Sequence, residues 1–61
     1  MFIEVQLYDS NHPLIINIDY IVEIEPVSYG SNIWIKERAD GLRMLRTSLR
    51  YEDWVRILHA R

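Results

Sequence analysis

The chain has 61 residues, 49% of them hydrophobic and 26% charged, with a formal net charge of −2 and no cysteine. A chain this short buries only about 60% of the surface that its unfolded form exposes. Lack of cysteine excludes a disulfide framework and a cysteine-based zinc site, so self-association is the expected substitute for those staples.

The opening stretch, Phe2 to Tyr8, alternates: Ile3, Val5 and Leu7 share one face, while Phe2, Glu4, Gln6 and Tyr8 share the other. It reads as a first strand, and Asp9-Ser10-Asn11-His12-Pro13 reads as its turn. It carries no basic leader, and no apolar run is long enough for a signal peptide or a membrane span, which gives the expectation of a cytoplasmic protein. Leu14 to Glu25 then reads as a long second strand with a kink near Asn17 to Ile21. Ile16, Ile18, Tyr20, Val22 and Ile24 alternate with Asn17, Asp19, Glu23 and Glu25, and Ile21 breaks the pattern. Pro26, lacking an amide hydrogen, is expected to close that strand, with Ser28 to Asn32 as the next turn.

Ile33 to Arg38 reads as a third strand, with Ile33 and Ile35 opposite Trp34. Asp40-Gly41 predicts a hairpin, because the pair tolerates the positive φ angles of a type I′ turn. Leu42 to Thr47 follows as a fourth strand, Leu42 and Met44 facing one way, Arg43 and Leu45 the other. Ser48 is the expected helix N-cap, and Glu52 and Asp53 suit the positive end of the helix dipole. Tyr51, Trp54, Val55 and Leu58 fall at i, i+3, i+4 and i+7, with Ile57 alongside, and predict an amphipathic C-terminal helix. The expectation is therefore one α+β domain over residues 1–61, ββββα in order, with a small antiparallel sheet of three to four strands.

A sheet with a single helix has two faces and one lid. Trp34 and one set from the long second strand, Tyr20 and Ile21 with the neighbouring Asp19, Glu23 and Glu25, are thus the expected contacts of a homo-oligomer. Charge is also divided. Residues 1–30 hold five acids and no Lys or Arg, whereas residues 31–61 hold seven bases and four acids, giving halves of −5 and +3. Such a division predicts an acidic strand paired with an Arg-bearing strand, within one chain or between two. The alternative is a basic surface for RNA or DNA, built from Arg38, Arg43, Arg46 and Arg50, with Trp34, Tyr29 and Trp54 for stacking.

Other chemistry is poorly served. Every serine lies in a turn or cap context, no nucleophile elbow is present, and His12 and His59 lack the spacing of metal ligands. Glu23 and Glu25 would stand about 7 Å apart on one strand face. Paired catalytic carboxylates need a cleft and a raised pKa as well, so a solvated face or ion-pair partners is the preferred reading. Neither glycine belongs to a phosphate-binding pattern. The expectation is a non-enzymatic protein without metal or cofactor.

Val5-x-Leu7, Ile16-Asn17-x-Asp19-x-Ile21-x-x-Ile24-Glu25, Ile33-x-Ile35, Gly41 and Tyr51-Glu52-Asp53 before an apolar helix span nearly the whole chain. In that order they resemble the small FlbD-type flagellar proteins and their phage-borne relatives. The resemblance implies that Asn17 and Asp19 occupy the polar positions of the family's hallmark segment. Arg50 stands where that family usually has a Ser N-cap, and Lys36 to Leu42 is longer than its usual hairpin. Gly30 to Ile35 and Arg50 to Trp54 also resemble the strand entry and helix start of the carbon-storage regulators, RNA-binding homodimers, which implies an RNA contact at Arg50. The acidic FIEVQLYD differs from the basic first strand of those regulators.

Overall fold

A computed structural model describes residues 1–37 and 41–60. Five strands and one helix follow in order: β1 Phe2–Gln6, β2 Pro13–Asn17, β3 Ile21–Val27, β4 Gly30–Lys36, β5 Leu42–Thr47 and α1 Tyr51–His59. The protein is a small α+β fold with a C-terminal helix and antiparallel strands, in a two-stranded sheet β1-β2 and a three-stranded sheet β3-β4-β5. What reads as one long second strand is two strands, β2 and β3, separated by a single 3₁₀ turn at Ile18–Tyr20. The turn lies where the kink was expected. Its cause is local: Asn17 Oδ1 accepts the amide of Asp19 at 3.0 Å, an Asx-type cap that diverts the backbone from the extended ladder.

Register explains the irregular alternation. Ile21 pairs with Ile35 and Glu23 with Trp34, so Val22 is the extra residue of a β-bulge. The bulge brings Ile21 and Ile24 to the inner face and turns Val22, Glu23 and Glu25 outward. Pro26 does not close the strand; it lies within β3 opposite Ser31. A proline is tolerated there because β3 is an edge strand, where a missing donor faces away from the ladder. The turn between β3 and β4 is correspondingly shorter than expected, two residues, Ser28 and Tyr29.

Gly30 opens β4 at φ +146°, and a Cβ there would stand 2.4 Å from the Thr47 carbonyl oxygen. Only glycine allows that backbone shape together with so close an approach of β4 to the end of β5. Lys36 pairs with Leu42 at the other end of β4, and Glu37 N–H donates to the Gly41 carbonyl at 2.9 Å. β4 and β5 thus form the expected hairpin, but with a longer connection than a two-residue Asp40-Gly41 turn, in which Gly41 would be a central residue and not the partner of Glu37. Asp40, on which that expectation rested, lies outside the described residues.

Val5, Ile16, Ile18, Ile33, Leu45 and Trp54 form the buried core. The two sheets meet along a narrow seam: Leu7 bridges Thr47, Tyr8 N–H donates to the Arg46 carbonyl at 2.8 Å, and Ser48 N–H donates to the Gln6 carbonyl at 3.1 Å. That last bond holds Ser48 in the sheet, so Arg50 rather than Ser48 is the residue before the first helical turn. Asp53 Oδ2 accepts the Arg50 amide at 3.0 Å there.

A buried polar cluster fastens α1 to the sheet. Trp54 Nε1–H donates to Ser31 Oγ at 2.8 Å, and Ser31 Oγ donates to the Leu49 carbonyl at 2.7 Å. With its one proton so committed, Ser31 Oγ accepts from Thr47 Oγ1, 2.8 Å away. A nine-residue helix is marginal in water. Here the indole supplies both the apolar plug and the hydrogen bond that orients it.

Candidate functional site

The helix buries a different stripe from the one that its spacing suggests. Trp54 is fully buried and Ile57 and Leu58 are half-buried, whereas Tyr51 and Val55 remain exposed. The reason is the indole bond to Ser31, which sets the rotation of the helix about its axis. Tyr51 and Val55 consequently stand beside the start of β3. Between them runs an open groove of about 380 Å³, lined by Ile18, Ile21, Val22, Ile24, Trp54 and Leu58, with Asp19 and Glu23 at its rim. Val22 is 59% exposed and Tyr20 58%.

Of the residues expected at an interface, Asp19, Ile21 and Glu23 line this groove, and Tyr20 lies next to them in the chain. Trp34 and Glu25 lie instead on the outer face of the three-stranded sheet. There Trp34 is half-buried between Glu23 and Met44, and Glu25 pairs with Asn32, itself opposite Arg46. Leu42 and Met44 are exposed on that same face. Asp19 belongs to the 3₁₀ turn, where its Oδ2 is 3.3 Å from the Met1 ammonium.

A second exposed apolar stretch lies on the hairpin. Phe2 is 68% exposed and Ile15 66%, on the outer face of β1 and β2, whose inner face carries Val5 and Ile16. Leu14-Ile15-Ile16 is an apolar triplet, and alternation in a strand obliges one of the three to point away from the core. That triplet was the available sign for Ile15. For Val22 the sign was the break in alternation at Ile21; for Tyr51 and Val55, whose exposure follows from one hydrogen bond, sequence offers none.

The arginines are less concentrated than a single basic surface requires. Arg43 and Arg46, three apart on β5, point to opposite faces and meet only at the strand margin, around a hollow of about 300 Å³ shared with Leu7 and Asp9. Arg50 belongs to a separate hollow of about 200 Å³ with Tyr29 and Glu52. Arg38 lies outside the described residues. Arg46 pairs with Asp9 at 3.8 Å, Arg43 with Glu37 at 3.5 Å and Arg56 with Asp53 at 2.5 Å. Among the described residues only the Asp9–Arg46 pair joins the acidic half to the basic half, and no ion pair involves Glu23 or Glu25. The stacking residues also separate: Tyr29 stacks on Tyr8 with ring centroids 4.2 Å apart, while Trp54 is buried under the helix.

Among the titratable groups, Asp53 has its pKa held below the ordinary value, first by the Arg50 backbone N–H and then by the Arg56 guanidinium. These are bonds of a helix start. Among the described residues no cluster of three or more His, Cys, Asp or Glu side chains gathers in metal-binding fashion, and no helix is long and apolar enough to cross a membrane. No protein-family model, curated protein or solved structure matches the chain.

Proposed function

We propose that this protein is a non-enzymatic interaction module that acts through protein–protein contacts and works as a homo-oligomer in the cytoplasm. The observation that carries the reading is the apolar margin of the fold. Two exposed apolar stretches make it up: Phe2 and Ile15 on the outer face of the hairpin, and Val22, Tyr51 and Val55 at the groove, with Tyr20 next to them in the chain. Isolated exposed apolar residues need no explanation, whereas a series of them beside a groove usually marks a contact surface. A second copy is the favoured partner because so short a chain without disulfide or metal gains most from burying one of these stretches against itself. The resemblance of Ile16 to Glu25 to the FlbD-type hallmark supplies context for this reading: Asn17, at the first polar position, caps the 3₁₀ turn that presents Tyr20.

Light scattering coupled to gel filtration at micromolar concentration tests it. The expected mass exceeds the 7.4 kDa of one chain, and a folded, strictly monomeric species would refute the proposal.

A second reading, RNA or DNA binding, is favoured by the meeting of Arg43 and Arg46 at one hollow of the β5 margin. Asp9 in that hollow opposes it, since a carboxylate beside the guanidinium competes with phosphate. Gel shifts at low salt, against single-stranded RNA and duplex DNA, separate the two. The interaction-only reading expects no shift; micromolar binding that weakens with salt and vanishes in Arg43→Ala with Arg46→Ala would replace it.

A further inference from the structure

We infer that two copies of this chain join edge to edge through β2, antiparallel about a two-fold axis at Ile15, so that the two hairpins become one four-stranded sheet. This rests on the reading of the protein as a homo-oligomer and names its seam.

Apart from the free lengths of β1 and β5 on either side of the narrow seam, the fold has two outer strands, β2 and β3, and they present different edges. β3 carries a bulge at Val22, the carboxylates Glu23 and Glu25, and Pro26. Bulges, charges and prolines are the devices by which natural sheets prevent edge pairing, and two β3 edges brought together would oppose carboxylates. By contrast, residues 10–18, which contain β2, include no Asp, Glu, Lys or Arg.

Hydrogen-bond direction on β2 follows from its register. Ile18 N–H donates to the Met1 carbonyl at 2.9 Å, and the same ladder pairs Ile3 with Ile16 and Val5 with Leu14. Antiparallel pairs alternate between hydrogen-bonded and non-bonded, so Ile15, opposite Glu4, aims its N–H and C=O at the free edge, as do Pro13 and Asn17. Pro13 has no N–H to offer. The Asn17 carbonyl is already engaged, because the residue that caps a 3₁₀ turn accepts its first i to i+3 bond.

These two deficits match only in a self-pairing centred on Ile15. That register places Ile15 opposite Ile15 of the second copy, joined by two N–H to C=O bonds, and Pro13 opposite Asn17 of the second copy. There the Asn17 N–H finds the Pro13 carbonyl, while the donor that proline lacks meets the acceptor that the turn already uses. A strand of unrelated sequence would leave a carbonyl unsatisfied opposite Pro13, so the edge selects a second copy. On the outer face, the 66% exposed Ile15 side chains meet each other at the axis. The two Glu4 carboxylates stay three strand spacings apart, about 14 Å, too far to oppose the contact strongly. The interface is isologous and closes on itself.

The experiment uses the full chain and its lack of cysteine. Wild type and Val22→Lys are expected to scatter as twice 7.4 kDa, while Ile15→Lys and Ile15→Pro scatter as single chains with unchanged circular dichroism. Ile15→Pro removes a donor that β1 does not use, and Ile15→Lys changes an exposed side chain, so one variant stands if the other fails to fold. With a short bismaleimide, Ile15→Cys is expected to give a covalent dimer in most of the protein and Val22→Cys little. A dimer that survives both Ile15 variants but is lost in Val22→Lys would overturn the β2 seam and leave self-association intact. A monomeric wild type would overturn both.

Discussion

The 3₁₀ turn at Ile18–Tyr20 and the helix α1 each leave a strand and each drive one side chain into the core, Ile18 and Trp54. They are secured differently. Ile18 is a purely apolar plug, and the turn above it is held by the exposed cap from Asn17. Trp54 is an apolar plug with a polar handle, and its N–H completes a buried cluster with Ser31, Thr47 and the Leu49 carbonyl. Apolar packing degrades gradually as volume is lost, whereas a buried hydrogen-bond cluster fails when one member leaves its partners unsatisfied. The helix should therefore be the less forgiving of the two attachments. Because it sets the rotation that exposes Tyr51 and Val55, its failure also dissolves the groove.

The largest expected effect is at Trp54. Trp54→Ala should cost about 3–5 kcal/mol, against a total of roughly 3–9 kcal/mol for a chain of this size. Thermal melts should show a protein largely unfolded at 37 °C; a variant that melts like wild type would erase the contrast between the two attachments. Next comes Ser31→Ala, which strands the indole N–H, takes the hydroxyl donor from the Leu49 carbonyl and leaves the Thr47 hydroxyl only the Ser31 carbonyl at 3.3 Å; it should cost about 1–3 kcal/mol in urea titration. Ile18→Val, the matched change in the apolar plug, should cost only about 0.5–1.5 kcal/mol, and a larger loss than at Ser31 would reverse the ranking. Smaller still, Asn17→Ala removes the cap of the turn and should cost about 1 kcal/mol or less, measured in the same titration.

The smallest effect is the pH response of Asp53. Its folded pKa lies below the ordinary 3.8, so its ionised form stabilises the helix start above that value, and the contribution disappears as pH falls through the folded pKa. The difference in melting temperature between wild type and Asp53→Asn should thus be present at pH 7 and shrink as the pH is lowered through the folded pKa of Asp53. As the site is exposed, added salt should shrink it further. A difference that grows on acidification would contradict the assigned direction.

Much of this architecture was legible beforehand because alternation is a direct print of burial. Ile3, Val5 and Leu7 turn inward as their spacing requires, β5 has the expected bounds, and the helix begins near Glu52 and Asp53. Legibility failed where one distant contact overrode a local pattern. Pro26 marks a strand end by local rules, yet an edge strand accommodates it. Ser48 has the chemistry of an N-cap but is claimed by Gln6 across the seam. The stripe from Tyr51 to Leu58 has the right period, and only the Ser31 bond decides which part of it is buried. For the candidate site, Asp19, Ile21 and Glu23 could be read from their disturbed alternation, while the arginines are neighbours in sequence that β5 sends to opposite faces.

The bulge makes Val22 unlike every other residue of β3 when the chain is shortened by one. Deleting Val22 leaves Ile21 opposite Ile35 and Glu23 opposite Trp34, and so preserves each pair while straightening the strand. Deleting any one of Glu25 to Val27 instead shifts the register by a position and exchanges the wet and dry faces on one side of the cut. Gaps within β3 in related chains should therefore fall at this position, and a chain with such a gap would present a flatter β3 edge, open to the pairing that the bulge prevents.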